Sequence, residues 1–518
     1  MGSSSTGRIA RSTGVLAVAT AVSRVLGFIR DLLIARLFGT LAEAQAFVVA
    51  FRIPNLLRDL VAEGAVTSAF VPVLSGYAAT KGREEFWQLA QALGARLVVL
   101  VTVIGGLGSL CAPAIVGFTA PGFASDPEKY SLTIRLTRIV FPFITLVGLW
   151  AYFMGVLNSL RHFATPALGP AVLNVAMIAA CLLIAAHPSA GAMPLAVSVM
   201  VGGVVQLLIQ LPVAMRLGFR WRWRWTHPGS QEIMRLLGPR IVGSAVYQGS
   251  VLIHTALASL GAVVGDGAVA ALYFANRLVQ LPLALFGTAS AQASLPSLAE
   301  QAARDDLQGF TATLRSLLRM VALMMFPAAV GLIVLAFPIV GGLFERGAFD
   351  HRSTIMTSQA LMCYSTGLLA YALSKVLTGA FYALRDTRTP VRLAMEALSL
   401  EVVLSVALMW PLKVAGLALA AALATSLNAY RLLRALERRL GAPLLQSVGG
   451  GWWRMGAASG LMGLACGAAW SLGGFAARPV VGLLIVIPVG AIGYALACRL
   501  LKVQELSTAL QWLRRKSV

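Results

Sequence analysis

Residues 155–166 read GVLNSLRHFATP, and residues 379–390 read GAFYALRDTRTP. The two stretches are 224 positions apart and share five of their twelve residues. The same offset places Pro72 on Pro296, far outside the first match. Weak internal similarity at one offset is typical of transporters built from two structural repeats. The sequence therefore predicts two halves with the same fold.

The composition around these stretches is that of a membrane protein. The chain has 518 residues, of which 58% are hydrophobic and 12% are charged. Soluble proteins are about 25% charged, so this chain has too few charges to cover a soluble surface of its size. A cytosolic enzyme, a disordered protein and a secreted domain are excluded. The net charge of +22 is explained by basic loops at an anionic lipid surface, and no nucleic-acid partner is expected.

Apolar stretches long enough to cross a bilayer recur along the whole chain. A transmembrane helix needs about 20 such residues. We predict an all-α polytopic membrane protein with about fourteen spans, at residues 14–38, 43–77, 86–118, 131–159, 165–187, 192–217, 234–262, 267–299, 310–340, 354–384, 389–412, 415–437, 450–473 and 478–501.

The positions of the basic residues orient these spans. With the N-terminus inside, 27 of the 42 Lys and Arg residues fall on the cytoplasmic side and six fall outside. Cytoplasmic loops carry the excess of Lys and Arg in membrane proteins. We therefore expect both termini in the cytoplasm, which agrees with an even number of spans.

The repeat divides the spans into two lobes of six. Because six is even, both lobes enter the membrane in the same direction, so the repeat is parallel. The predicted parts are an N-lobe at 14–217, a basic cytoplasmic linker at 218–233, a C-lobe at 234–439, spans thirteen and fourteen at 450–501, and a basic cytoplasmic tail at 502–518. Such architectures bind their cargo between the halves.

Ionisable residues interrupt several of the spans. They are costly inside a bilayer and functional by default. They lie in the first span (Arg24, Arg30, Asp31), the second (Arg52, Arg58, Asp59, Glu63), the seventh (His254), the eighth (Arg277, after Asn276) and the tenth (Lys375). The alternative interpretation is that the cations extend to headgroups or pair with the neighbouring acids.

The excess of arginines in these spans indicates an anionic cargo. The guanidinium group stays charged and binds phosphate with two parallel hydrogen bonds. A cavity lined by such groups suits a phosphate or diphosphate, whereas an exporter of cationic drugs needs the opposite charge. The chain contains no HExxH, Walker A or GxSxG motif, so we predict no enzyme, no catalytic residue and no metal site.

A set of motifs resembles one known family. The motifs are SRVLGFIRD at 23–31, AFRIPNLLR at 50–58, AEGA at 62–65, AFVP at 69–72, TAPGF at 119–123, Arg277-Leu278 and Phe381-Tyr382. Together they resemble the MurJ (MviN) family of lipid II flippases, within the multidrug/oligosaccharidyl-lipid/polysaccharide (MOP) exporter superfamily.

The resemblance implies a cargo and a set of site residues. It implies a flippase in the bacterial cytoplasmic (inner) membrane that moves lipid II, an undecaprenyl-diphosphate-linked peptidoglycan precursor, to the outer leaflet by alternating access. It assigns the diphosphate to Arg24, Arg30, Arg58 and Arg277, and it makes spans thirteen and fourteen a groove for the lipid tail. The other ionisable residues and Asn276 form a supporting polar network, with His254 a candidate for coupling.

Two departures from the family keep alternatives open. Many relatives carry aspartate where this chain has Gln45 and Asn276, which makes the predicted cavity more cationic. A flippase for another polyprenyl-diphosphate glycan and a non-transporting scaffold of cell-wall assembly are the alternatives. We expect a monomeric transporter, acting among membrane lipids or within a cell-wall synthesis complex. It needs no cofactor and is driven by the membrane potential, and a bound coupling cation is left open.

Overall fold

The chain is mainly helical in the part that the computed structural model describes, residues 3–58 and 70–506, and those residues contain no strand. The all-α prediction is therefore confirmed. The helices are α1 Ser3–Phe38, α2 Ala42–Arg58, α3 Val71–Thr80, α4 Gly82–Leu110, α5 Ala112–Thr119, α6 Pro127–Val140, α7 Phe143–Ser159, α8 Ala164–Ala186, α9 Met193–Arg216, α10 Pro228–Ala258, α11 Gly261–Val264, α12 Ala268–Pro282, α13 Ala289–Ala303, α14 Leu307–Val334, α15 Ala336–Phe344, α16 His351–Thr366, α17 Leu368–Ala383, α18 Arg388–Leu440, α19 Leu444–Leu472 and α20 Pro479–Leu500.

Helix breaks subdivide or separate several of the predicted spans. Lys413 has φ +52° and ψ −131° inside α18, between the ranges predicted as spans eleven and twelve. A π-helical turn, Leu283–Thr288, joins α12 to α13 within the predicted eighth span. In the described part of the chain, nine helices are long and apolar enough to cross a membrane, or ten if the bent pair α16 and α17 forms one span. The count of fourteen stays a prediction.

The helices form two compact units, Met1–Ser259 and Leu260–Val518. In the first unit, α1 packs along α8, α8 packs on α9, and α4 and α9 both contact α7. Helix α10 lies against α3, α4 and α5 in this unit, although its sequence corresponds to the start of the second repeat. The lobe boundaries at 217 and 234 stay predictions.

In the second unit, α14 connects the helices of the repeat to the last two helices. It packs against α17 and α19, and α19 packs on α20. The Tyr494 hydroxyl on α20 donates to the Leu323 carbonyl of α14 at 2.9 Å. A buried apolar cluster that includes Met455, Cys466 and Val486 fills this part of the unit. The two C-terminal helices are thus packed into the second unit.

The two stretches that reveal the repeat form the same turn. Arg161 has φ +62° and Arg385 has φ +58°, a left-handed conformation that ends many helices. The Arg161 amide donates to the Asn158 carbonyl and the Arg385 amide donates to the Tyr382 carbonyl, both at 3.0 Å. Asn158 and Tyr382 are also 224 positions apart. The repeat is therefore present in backbone geometry at this point.

Candidate functional site

Arg30 lies in a buried polar cluster between α1 and α8. Its Nη2 and Nε donate to Oδ1 of Asp31 at 2.7 and 3.1 Å, and its Nη1 donates to Oδ1 of Asn174 at 2.9 Å. The Asn174 amide in turn donates to the Ser23 carbonyl at 3.0 Å. Arg30 is 6% exposed and Asp31 is 2% exposed. The pair is close to neutral as a unit, and Asn174 connects it to the second helix.

A glycine allows the two helices of this cluster to approach. A Cβ atom added at Gly27 would lie 3.3 Å from Nδ2 of Asn174, which is tighter than an ordinary van der Waals contact. The SRVLGFIRD motif therefore contains the buried ion pair and also the glycine that lets its amide partner reach α1. Local sequence shows the first feature, and the second depends on α8.

The other predicted cations of the first unit are more accessible. Arg24 is exposed on α1, one to two turns before Arg30, and Arg52 and Arg58 on α2 are half-buried. Gln45, at the start of α2, is buried. Asp59 and Glu63, which we predicted as part of the polar network, lie outside the described residues.

In the second unit, Arg277 stacks on an aromatic ring. Its guanidinium carbon lies 4.9 Å from the centroid of the Tyr273 ring, and Nη2 donates to the Tyr273 hydroxyl at 3.1 Å. Both residues are on α12, four positions apart, and Arg277 is half-buried. Asn276 is exposed beside it. The tyrosine ring and hydroxyl restrict the position of the guanidinium.

Lys375 belongs to the second unit and His254 to the first. Lys375 on α17 is exposed, and its Nζ donates to the Thr288 hydroxyl of the π-helical turn at 2.9 Å. His254 is half-buried on α10, in the first unit. In each unit, predicted site residues lie on more than one helix: α1 and α2 in the first, and α12 and α17 in the second.

Several buried amides of the first unit were not predicted. Asn174 is a partner of Arg30, and Gln206 and Gln210 lie on the buried face of α9. Gln206 donates to the Gly169 carbonyl at 2.6 Å. The available signal was an uncharged amide inside an apolar span, which has to find a partner in the protein. The sequence-based prediction considered the amides Gln45 and Asn276 but not those of α8 and α9.

The described residues contain no group of three or more His, Cys, Asp or Glu side chains placed to hold a metal ion.

The glycines of the two C-terminal helices fall into two sets. A Cβ at Gly463 on α19 would press against Val330 of α14, at 2.6 Å. Gly460 on α19 and Gly493 on α20 have no atom within 4 Å of such a Cβ. The first glycine therefore permits helix packing, and the other two leave open surface.

Solved structures show which fold this chain shares. An inward-facing multidrug resistance MATE family transporter of the MOP superfamily matches with a TM-score of 0.67 at 13% identity, over 82% of this chain and 98% of that chain. A lipid II flippase MurJ in an inward closed conformation matches with a TM-score of 0.79 at 24% identity, over 93% and 98%. The chain thus has the fold of a multi-pass membrane transporter of this superfamily.

Sequence similarity identifies the family. The family model for "Lipid II flippase MurJ" matches residues 34–490. The lipid II flippase MurJ of Burkholderia cenocepacia is 36% identical over 426 residues, which are 81% of this chain and 82% of that relative. This chain belongs to the lipid II flippase MurJ family, which confirms the resemblance seen in its motifs.

Proposed function

We propose that this protein moves lipid II from the inner to the outer leaflet of the cytoplasmic membrane. Membership of the lipid II flippase family over residues 34–490 carries the proposal. The arginines on α1, α2 and α12 supply groups suited to the diphosphate of this cargo. The protein acts as a transporter without catalysing a covalent reaction.

The proposal includes a topology. Fourteen spans place both termini in the cytoplasm, and lobes at 14–217 and 234–439 alternate access to a cationic cavity between them. The helical ranges and the turns at Arg161 and Arg385 support a parallel repeat. The protein works as a monomer, alone or within a cell-wall synthesis complex.

The arginines have two different tasks in this proposal. Arg24, Arg58 and Arg277 bind the diphosphate, because they are exposed or half-buried. Arg30 is a positioning residue, because its charge is opposed by Asp31 and it fixes α1 on α8. The expected cationic excess of the cavity therefore comes from the first three arginines.

Charge reversal tests this division. Arg24→Glu, Arg58→Glu and Arg277→Glu should each abolish complementation of a strain depleted of the protein, while protein levels in the membrane stay normal. Arg478→Glu is the matched control, because Arg478 is exposed at the start of α20. If the three variants grow at the rate of the control, these arginines do not bind the cargo.

Depletion identifies the cargo. Loss of a lipid II flippase should cause lysis, with lipid II accumulating at the inner leaflet. Loss of only a surface glycan would show that the cargo is another polyprenyl-diphosphate glycan. A scaffold should still support growth after the arginine substitutions, so the two experiments together separate the three functions.

The last two helices border the path of the lipid tail in this proposal. Gly460 and Gly493 face open space, so tryptophan at either position should block flipping in protein that is folded and inserted. Gly463→Trp is the contrasting variant, because its side chain should clash with Val330 and destabilise the packing of α19 on α14. If Gly460→Trp and Gly493→Trp flip lipid II at the wild-type rate, the lipid tail does not pass along these glycines.

The membrane potential drives the cycle in this proposal. A diphosphate carries about two negative charges, and one charge crossing 100 mV corresponds to about 2.3 kcal/mol. Outward movement of the anion and return of the empty cationic cavity together gain about 4–5 kcal/mol if two net charges cross the whole field. Collapse of the potential at a constant pH gradient should stop flipping in vesicles. Flipping that follows a proton or sodium gradient under clamped potential would favour coupling through His254 or Glu63.

A further inference from the structure

A cleft of about 600 Å³ lies between the two segments of α18 on either side of Lys413. We call it the arginine cleft. Four arginines, two glutamates and one tyrosine supply its polar lining: Arg392, Arg431, Arg434, Arg438, Glu396, Glu437 and Tyr430. Nothing in the proposed transport cycle uses these residues.

Both acids of the arginine cleft are already engaged. Glu396 accepts from Arg392 at 3.0 Å and from Arg431 at 2.9 Å, so one carboxylate faces two guanidinium groups. Glu437 accepts from Arg434 at 3.1 Å and from the backbone amide of Leu445 at 2.6 Å. Four arginines against two glutamates leave an excess of two positive charges in the lining.

Arg438 and Arg434 lie on the wall of the arginine cleft that the second segment of α18 forms. Arg438 is exposed and lines the cleft. Arg434 lies over the Tyr430 ring, 5.5 Å from its centroid, and its Nε donates to the Tyr430 hydroxyl at 3.2 Å. One guanidinium is thus held in place and the other is available to an anion.

Apolar surface begins directly beside the arginine cleft. Met395, next to Glu396, is 48% exposed, and Leu423, two turns before Tyr430, is 45% exposed. Large exposed side chains continue along both segments, at Val403 and Trp410 for example. On a membrane helix such residues face lipid, which would place the cleft at the level of the headgroups.

We propose that the arginine cleft binds the headgroup of an anionic phospholipid. Its phosphate accepts hydrogen bonds from Arg438 and Arg392, which lie on opposite walls, and the acyl chains lie along Met395 and Leu423. Basic pockets between helices on the cytoplasmic side suit such headgroups. A bound lipid would hold the two segments of α18 together at their cytoplasmic ends.

Native mass spectrometry of the full chain tests the proposal with phosphatidylglycerol as the probe. Arg392→Gln with Arg438→Gln is the informative variant, because Glu396 keeps Arg431 and neither acid loses its last partner. Binding should weaken about 30-fold, from about 1 kcal/mol for each basic residue. Glu396→Gln should bind more tightly than wild type, because it releases two arginines.

Arg222→Gln with Arg224→Gln is the matched control, since it removes the same charge from another basic segment. It should bind phosphatidylglycerol like wild type, and phosphatidylcholine should bind none of the variants well. If both double variants weaken phosphatidylglycerol binding equally, the arginine cleft is not the binding site. Equal binding of phosphatidylglycerol and phosphatidylcholine by the wild type would also contradict the proposal. Glycerol 3-phosphate that displaces the lipid at equal concentration would show that free phosphate is the ligand and would overturn the lipid assignment. Melting temperatures measured without lipid show whether the variants fold. If the double variant does not fold, tighter binding by Glu396→Gln still tests the proposal, and unchanged binding by that variant contradicts it.

Discussion

The turn after α7 and the turn after α17 share a backbone but differ in the side chain that follows the left-handed arginine. In the first turn, His162 Nε2 lies 2.6 Å from the Thr165 hydroxyl. In the second, the Thr389 hydroxyl donates to Asp386 at 2.8 Å. His162 corresponds to Asp386, and Thr165 to Thr389, at the offset of 224. The backbone of the turn therefore tolerates a change from imidazole to carboxylate.

The helices of the two halves differ much more than the turns. At the same offset, Arg30, Asp31 and Asn174 correspond to His254, Thr255 and Leu398, and Gly27 corresponds to Val251. Helix α1 packs along α8, whereas α10 packs on α3, α4 and α5. The repeat thus preserves this turn, whereas His254, Thr255 and Leu398 stand in the second half where the first half has the residues of its buried charge cluster.

Removal of the buried carboxylate should have the largest effect. Asp31→Asn removes the buried carboxylate charge that lies 2.7 Å from the Arg30 guanidinium, so the free energy of unfolding should fall by about 3–5 kcal/mol. The melting temperature of the purified protein measures the loss. Arg30→Met with Asp31→Leu removes both charges and should restore most of the stability. An unchanged melting temperature for Asp31→Asn would show that the pair is not buried as described.

Introduction of the second half's valine into the first half should have the next largest effect. Gly27→Val places a branched side chain against the Asn174 amide, and such overpacking costs about 1–3 kcal/mol. Gly76→Val is the control, because a Cβ there meets no atom within 4 Å. If both valines change the melting temperature equally, the close approach of α1 to α8 is not the cause.

The charged turn should make the second half sensitive to acid. Burial alone would raise the pKa of Asp386, but hydrogen bonds from Thr389 and the Arg439 guanidinium at 2.8 Å outweigh burial and hold that pKa below its ordinary value. A lowered folded-state pKa stabilises the protein above the unfolded pKa, and this contribution is lost as the pH falls through the folded value.

Asp386→Asn should therefore cost about 1 kcal/mol at neutral pH, the usual cost of losing a capping interaction. The difference in melting temperature between wild type and variant should shrink below about pH 4. A constant difference down to pH 3 would show that the carboxylate charge contributes nothing.

Replacement of the two left-handed arginines should have the smallest effect. Arg161→Gly and Arg385→Gly relieve a strained backbone but also make the unfolded chain more flexible, so each change should stay within about 1 kcal/mol. The β-branched Arg161→Val and Arg385→Val should both be less stable than the glycine variants. If the melting temperatures change by very different amounts at the two turns, the turns are not energetically equivalent despite their similar backbones.

The sequence alone determined the helical class, the break near Lys413 and the turn of the repeat. These features depend on the length of apolar runs and on a few neighbouring residues, which the sequence displays directly. It also singled out the arginines, because a charge inside an apolar span is unusual wherever the span packs.

Only the tertiary structure decided what those arginines contact. Arg30 and Asp31 are neighbours in the chain, but Asn174 comes from α8, 144 residues away. The arginine cleft likewise depends on contact between the two segments of α18 that precede and follow Lys413. Whether a buried charge is neutralised or left to bind an anion depends on the groups within a few ångströms of it. Those groups come from helices that the chain brings together only when it folds.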